Sequence, residues 1–317
     1  MKTAIKTTPA LLKREYWEHR GAFRRTPMIL GSVFLAGILI FWITAIATSV
    51  HIQGIEYTLK QGIQKMAELP PDMLATIWNG VLMNISLLFL MVLFIVVFFY
   101  LLGALYDDRK DGSILFWKSL PVSDTQTVLS KLLTAIFLAP AFFVVIAALA
   151  QLLVLVLVSI IVLLYGGDPI SAIWKPIDLT GNWGLLVAGA IMQLLWALPI
   201  YGWLLLVSAW AKRRPFLQAV FIPLLAAFGW YWYNVLTSLS FTNGEVFSAI
   251  FTRVGHAMLP YAKGALSFNS RQLGKDPLAV AAQMLHELKD PAIYYGLAFA
   301  IVTVSLAIWI RRYRNTT

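Results

Sequence analysis

Cysteine is absent from all 317 residues. That excludes disulfides, thiolate metal sites and a cysteine nucleophile. Charge is scarce: Asp, Glu, Lys and Arg make up 13% of the chain, where a soluble domain carries about 25%. No such residue lies well inside the long apolar runs. Ionisable groups in a bilayer core are costly and mark function, so their lack argues against a proton-coupled carrier, a voltage sensor or an aspartyl intramembrane protease. His19, His51, His256 and His286 have no metal-ligand spacing, and neither HExxH nor GxSxG occurs. There is no GxxxxGK[ST] phosphate loop; the nearest string, Gly274-Lys275-Asp276, lacks the glycine spacing and the hydroxyl. No catalytic residue, metal site or cofactor site is expected here. If ATP is used, the ATPase is another chain.

Apolar residues fill the space: 60% of the chain is hydrophobic, with a mean hydropathy of +0.76. A bilayer can cover this much apolar surface where a soluble fold cannot. The runs extend from 27 to 310, which predicts one all-α membrane domain. Spans are expected at 27–50, 77–105, 127–165, 183–211, 216–240 and 292–310. The first is preceded by a polar stretch of 26 residues and is longer than a signal-peptide core, so it reads as a span and not as a cleaved leader. Ahead of it, Thr8-Pro9 reads as a helix start, and Leu12, Tyr16 and Phe23, with Arg20, recur at helical spacing opposite Lys13, Arg14, Glu18 and Arg25. Residues 9–25 are therefore expected to form an amphipathic interface helix, the alternative being a solvated basic tail. Thr26-Pro27 repeats the start signal.

The 39 residues of 127–165 could make one long helix, kinked near Pro140, or a hairpin of two. No turn chemistry lies inside the run, and charge decides. With six spans, the segments on the side of both termini carry 17 Lys/Arg and 6 Asp/Glu, while those opposite carry 8 and 9. Seven spans would put Lys212-Arg-Arg-Pro215 and the arginines at 311–314 on the wrong side. The positive-inside rule predicts six spans with both termini cytoplasmic. The same rule accounts for the net charge of +10 without nucleic acid.

The first loop on that side carries a pattern of its own. Asp111-Gly-Ser113 ends one helix and can start another; residues 114–120 allow two turns with Ile114, Leu115, Phe116, Trp117 and Leu120; Pro121 stops them. Ser123-Asp-Thr-Gln126 fits a capping box for the third span. The result is a short crosswise helix that either anchors a partner or packs on its own membrane domain.

Asp108, Arg109, Gly112, Ser113, Pro121, Val122 and Ser123 resemble the first cytoplasmic loop of ABC-2 type transporter permeases, which have an acidic-Arg-x-x-Gly-Ser/Thr pattern, a short helix and then Pro-Val-Ser. Asp108 stands where that family has Glu. The interface helix, the six spans and a large outer loop at 241–291 with short gating helices extend the resemblance over nearly the whole chain. It implies a second permease chain, in a homodimer or heterodimer, and two ATP-binding subunits that hold the ATP and Mg. The coupling helix at 113–120 would sit in a groove of the ATPase, with Asp108, Arg109, Gly112, Ser113, Phe116, Trp117, Leu120 and Pro121 at the interface. Arg109 is expected to pair with an ATPase carboxylate. Export across a bacterial inner membrane, in contact with its lipid, is the implied activity.

Two other readings use the same residues. A non-transporting membrane anchor could recruit an ATPase through the same loop, and a lipid-modifying enzyme could use Asp107–Asp111. The mid-span residues Asn84, Gln151, Gln193 and Asn234 either line a substrate path or hydrogen-bond between helices. The aromatic run Gly229–Tyr233 reads as an interface belt.

Overall fold

The computed structural model describes residues 2–47, 50–52, 55–57, 59–119, 122–237, 245–261 and 276–313. Among these residues, six helical stretches are long and apolar enough to cross a membrane: Gly21–Thr44, Pro71–Lys110, Asp124–Leu164, Leu179–Trp210, Pro215–Tyr233 and Pro291–Tyr313. This is the architecture of a multi-pass membrane protein.

Helix α1 (Lys2–Glu18) runs through a π-helical turn at Gly21–Arg25 into α2 (Thr26–Ala47). The helix thus starts earlier than Thr8, and Pro9 lies two turns inside it, where it forgoes one backbone bond. Thr26-Pro27 does not start a helix either. The extra residue of the π turn is absorbed there, with the Thr26 amide donating to the Gly21 carbonyl. A short antiparallel pair, β1 (Val50–Ile52) with β2 (Ile55–Tyr57), follows where a loop is expected, and is an exception to the all-helical class. After α3 (Leu59–Ala67), Pro70 caps α4 (Pro71–Ala104) and Pro71 takes its first position, so the second span begins six residues before the expected 77.

Two short helices, α5 (Tyr106–Lys110) and α6 (Ser113–Ser119), lead to α7 (Asp124–Leu133). A π segment at Thr134–Leu138 joins α7 to α8 (Ala139–Leu164). The 41 residues from Asp124 to Leu164 are one helical path of about 60 Å, not a hairpin. Pro140 has no amide to offer. The irregularity is taken up just before it, where the Ala139 amide bonds to the Thr134 carbonyl.

A π turn at Ile170–Trp174 leads to α9 (Leu179–Trp210) and then α10 (Pro215–Thr237). Among the described residues of the expected outer loop lie α11 (Glu245–Met258) and α12 (Pro277–His286), and α13 (Pro291–Tyr313) follows.

Helix α9 is the most buried of the six stretches, whereas those of α2 and α10 are mostly uncovered. It lies parallel to α4 and in constant register with it. Asn79 meets Asn182, Leu90 meets Gln193 and Leu105 meets Ser208, each pair 103 residues apart. It also lies against α13, so closely that a side chain on Gly202 would overlap Thr303 and the backbone of Ala300. Alternation of direction then brings α1, α5, α6, the starts of α7 and α10, and the ends of α4, α9 and α13 to one end of the bundle.

Candidate coupling face at one end of the bundle

Gly112 has φ +71°, a left-handed conformation that suits glycine and turns the chain between α5 and α6. Ser113 starts α6, and its hydroxyl donates to the Asp108 carbonyl at 3.1 Å. Ile114 is fully buried beneath this helix and Leu115 is exposed. At the exit, Ser123 and Gln126 form the expected capping box: the Gln126 amide donates to Ser123 Oγ at 3.2 Å, and the Ser123 amide donates to Gln126 Oε1 at 3.0 Å. Phe116 and Trp117 lie on α6, but their side chains are outside the described residues, as are Leu120 and Pro121.

Asp108 and Arg109 do not face outward. Both are buried, and they reach in different directions. The Arg109 guanidinium donates to the carbonyls of Ser208 and Ala211 at the C-terminal end of α9. It satisfies acceptors that the helix leaves open and meets the negative end of the helix dipole. Ser208 returns the contact, its Oγ accepting from the amides of Leu105 and Tyr106, both at 2.9 Å, where the backbone steps from α4 to α5. Arg109, expected to pair with a partner's carboxylate, is buried here and its Nη2 is held by this chain's own α9.

Asp108 belongs to a buried ionic cluster. Its Oδ2 accepts from Arg311 Nη1 of α13 at 3.2 Å and lies 3.6 Å from Lys131 Nζ of α7. Lys131 is 3.3 Å from Glu15 Oε1 of α1. Glu15 Oε2 also accepts from the Tyr100 hydroxyl of α4 at 2.9 Å. Arg311 Nε donates to Asp124 Oδ1 at 3.2 Å. Glu15, Asp108, Lys131 and Arg311 are each at most 5% exposed, so these charges are withdrawn from water and stabilised by one another. One chain of ion pairs joins α1, α7, α5 and α13.

Sequence reasoning passes over Glu15, Tyr100, Lys131, Ser208 and Arg311. On α1 the expected face is shifted by one residue: Leu11 and Glu15 are buried while Leu12 and Tyr16 are half-buried, and Phe23, in the π turn that follows, is buried as its place on that face suggests. The available signal was a carboxylate in register with two apolar residues, which implies a buried cation elsewhere.

Among the described mid-span side chains, Asn84, Gln151 and Gln193 have separate partners. Asn84 is exposed and bonds to Gly80 of its own helix. Gln151 is buried on α8; its amide donates to the Leu82 carbonyl and Ser86 Oγ of α4, and it accepts from Trp183 of α9. Gln193 of α9 donates to the Leu90 carbonyl of α4 and the Ala257 carbonyl of α11. Both glutamines are engaged between helices. Asn234 lies on α10 with its side chain outside the described residues.

At the opposite end, α11 and α12 pack on α9. Arg253 lies 5.3 Å from the Trp196 ring centroid and donates to the Ala292 carbonyl; burial pulls its pKa down, against the pull of Asp290. Among the described residues no group of three His, Asp or Glu is placed to hold a metal ion. No family model matches the chain, and no curated protein and no solved structure matches it at a significant level.

Proposed function

We propose that the chain is the membrane-spanning permease subunit of an ATP-driven ABC transporter, an exporter that works with a separate ATP-binding subunit docking on α6. The observation that carries this reading is the mounting of α6. It is a short helix with a glycine turn before it and a capping box after it, on a loop clamped to α9 by Arg109 and to α7 and α13 by Asp108. A displacement applied to so constrained an element reaches the spans instead of dissipating in a loop. Asp108 and Arg109 then act from inside, as the mounting, and the exposed Leu115 is on the contact side. Orientation with both termini cytoplasmic, in a bacterial inner membrane, follows from the charge distribution and the family resemblance.

The test is a mild-detergent pull-down of the tagged protein from its native membrane, with mass spectrometry of what accompanies it. A stoichiometric soluble ATPase with a phosphate-binding loop is expected. Recovery of intact, monodisperse protein with no such subunit would overturn the proposal. Leu115→Ala is expected to lower ATPase recovery while the chain stays in the membrane. A loss of about 2 kcal/mol, the threshold of an interface hot spot, corresponds to about 30-fold in affinity.

A further inference from the structure

A cleft of about 460 Å³ opens between the α6–α7 connection and the end of α13. Its size is within the range of small-ligand sites, about 300–1,000 Å³. Three cations line it, Lys118, Arg311 and Arg312, against one carboxylate, Asp124. Arg311 is held by both Asp124 and Asp108, so the positive charge on the wall is that of Lys118 and Arg312. Asp124 and Thr125, also on the wall, open α7, which adds the positive end of a helix dipole. Lys118 Nζ reaches the Arg312 carbonyl at 3.4 Å, joining the two walls at the rim.

Ile308 and Arg312 line the cleft, and the same face of α13 continues below it through Ser305, whose hydroxyl donates to the Ile301 carbonyl of its own helix, to Ile301, which is 60% exposed. Arg312 and Ile301 are separated by about 16 Å along the helix, close to one leaflet of a hydrocarbon core of about 30 Å. The exposed Trp309 and Tyr313 stand at the same end, as aromatic residues do at the headgroup level.

We infer that this cleft binds the phosphate-bearing headgroup of an anionic phospholipid, whose acyl chain lies along the Ile301–Ile308 face of α13. A cationic pocket alone would suit any phosphate; the apolar track beneath it selects a lipid. The bound lipid bridges the loop that carries α6 and the last span. This inference rests on the six helices crossing a bilayer and not on the transporter reading, so recovery of an ATPase bears on one and lipid retention on the other.

The test compares wild type with Lys118→Gln/Arg312→Gln, a change at two exposed side chains outside the buried ion cluster. Purified protein is exchanged into mixed phosphatidylglycerol and phosphatidylcholine micelles, and retained lipid is read by native mass spectrometry. Wild type is expected to retain phosphatidylglycerol selectively. The double variant is expected to lose that selectivity by about 30-fold, at about fivefold per cation removed near an anionic headgroup. Lys118→Arg/Arg312→Lys, which keeps the charge, is expected to restore it. Equal retention by wild type and the Gln variant would overturn the site. Displacement of phosphatidylglycerol by millimolar inorganic phosphate would overturn the lipid assignment, because a free phosphate would then suffice.

Discussion

Lys131→Met is the sharpest perturbation the structure offers. The ammonium is 1% exposed and lies 3.3 Å from Glu15 and 3.6 Å from Asp108. Methionine fills nearly the same volume, so packing changes little and charge carries the effect. Two buried carboxylates then share one cation fewer: Asp108 keeps Arg311, and Glu15 keeps the Tyr100 hydroxyl. Removing one partner of a buried pair costs about 3–5 kcal/mol. At about 2 °C per kcal/mol for a long chain, the unfolding midpoint should fall by about 6–10 °C. Glu15→Gln/Lys131→Met removes the pair together, and should regain at least half of that loss. The assay is thermal unfolding in detergent followed by tryptophan fluorescence, run as a double-mutant cycle. If Lys131→Met melts with the wild type, or if the two substitutions add within about 0.5 kcal/mol, the buried cluster is not coupled as described.

Arg109→Ala should leave the Ser208 and Ala211 carbonyls without their charged donor; a cost of about 1.5–3 kcal/mol and faster tryptic cleavage at Lys110 are expected, and an unchanged digest would contradict the clamp. Gly202→Val should wedge α9 from α13 at Ala300 and Thr303, at about 1–3 kcal/mol or more, visible as a lower midpoint and a broadened elution profile; a wild-type midpoint would mean that the helices are not so close. Because the chain has no cysteine, Lys212→Cys and Asp168→Cys can be labelled without background by a membrane-impermeant maleimide. Six spans require these two positions to react from opposite sides of sealed vesicles, and labelling from the same side would refute the topology.

The six long helices are legible in sequence because length and hydropathy alone separate them, and charge asymmetry resolves 127–165 into one path. The α5–α6–α7 connection is legible for a local reason: Gly112, Ser113, Ser123 and Gln126 act on their own neighbours, and the capping box forms as the spacing predicts. Long-range partners are a different matter. Asp108 and Arg109 are adjacent in sequence, and nothing local says that one turns to α13 and the other to α9. Glu15 resembles any surface carboxylate on a basic helix until Lys131 is brought beside it. The early start of α4 was hidden because Pro70-Pro71 reads as a breaker as well as a first turn, and the depth of Pro9 in α1 because proline is favoured in a first turn and disfavoured beyond it.

The buried cluster also explains why acidic residues occur at a strongly basic end. Lys131 and Arg311 are among the cations that the positive-inside rule counts, and an unassembled span can keep them at the interface, where long basic side chains reach water. Once the helices pack, Glu15, Asp108 and Asp124 take up those same charges. If the charge distribution orients the chain as proposed, orientation and closure of this end draw on the same residues at successive stages. The glutamines deeper in the bundle cannot do this, since an amide carries no topogenic charge; they bond between helices, to Leu82, Leu90 and Ala257. The division predicts that substitutions at Gln151 or Gln193 weaken the fold without altering insertion. Loss of both Lys131 and Arg311 should instead raise the fraction of misoriented chains in a protease-protection assay, a result that a purely structural role for these two cations would not give.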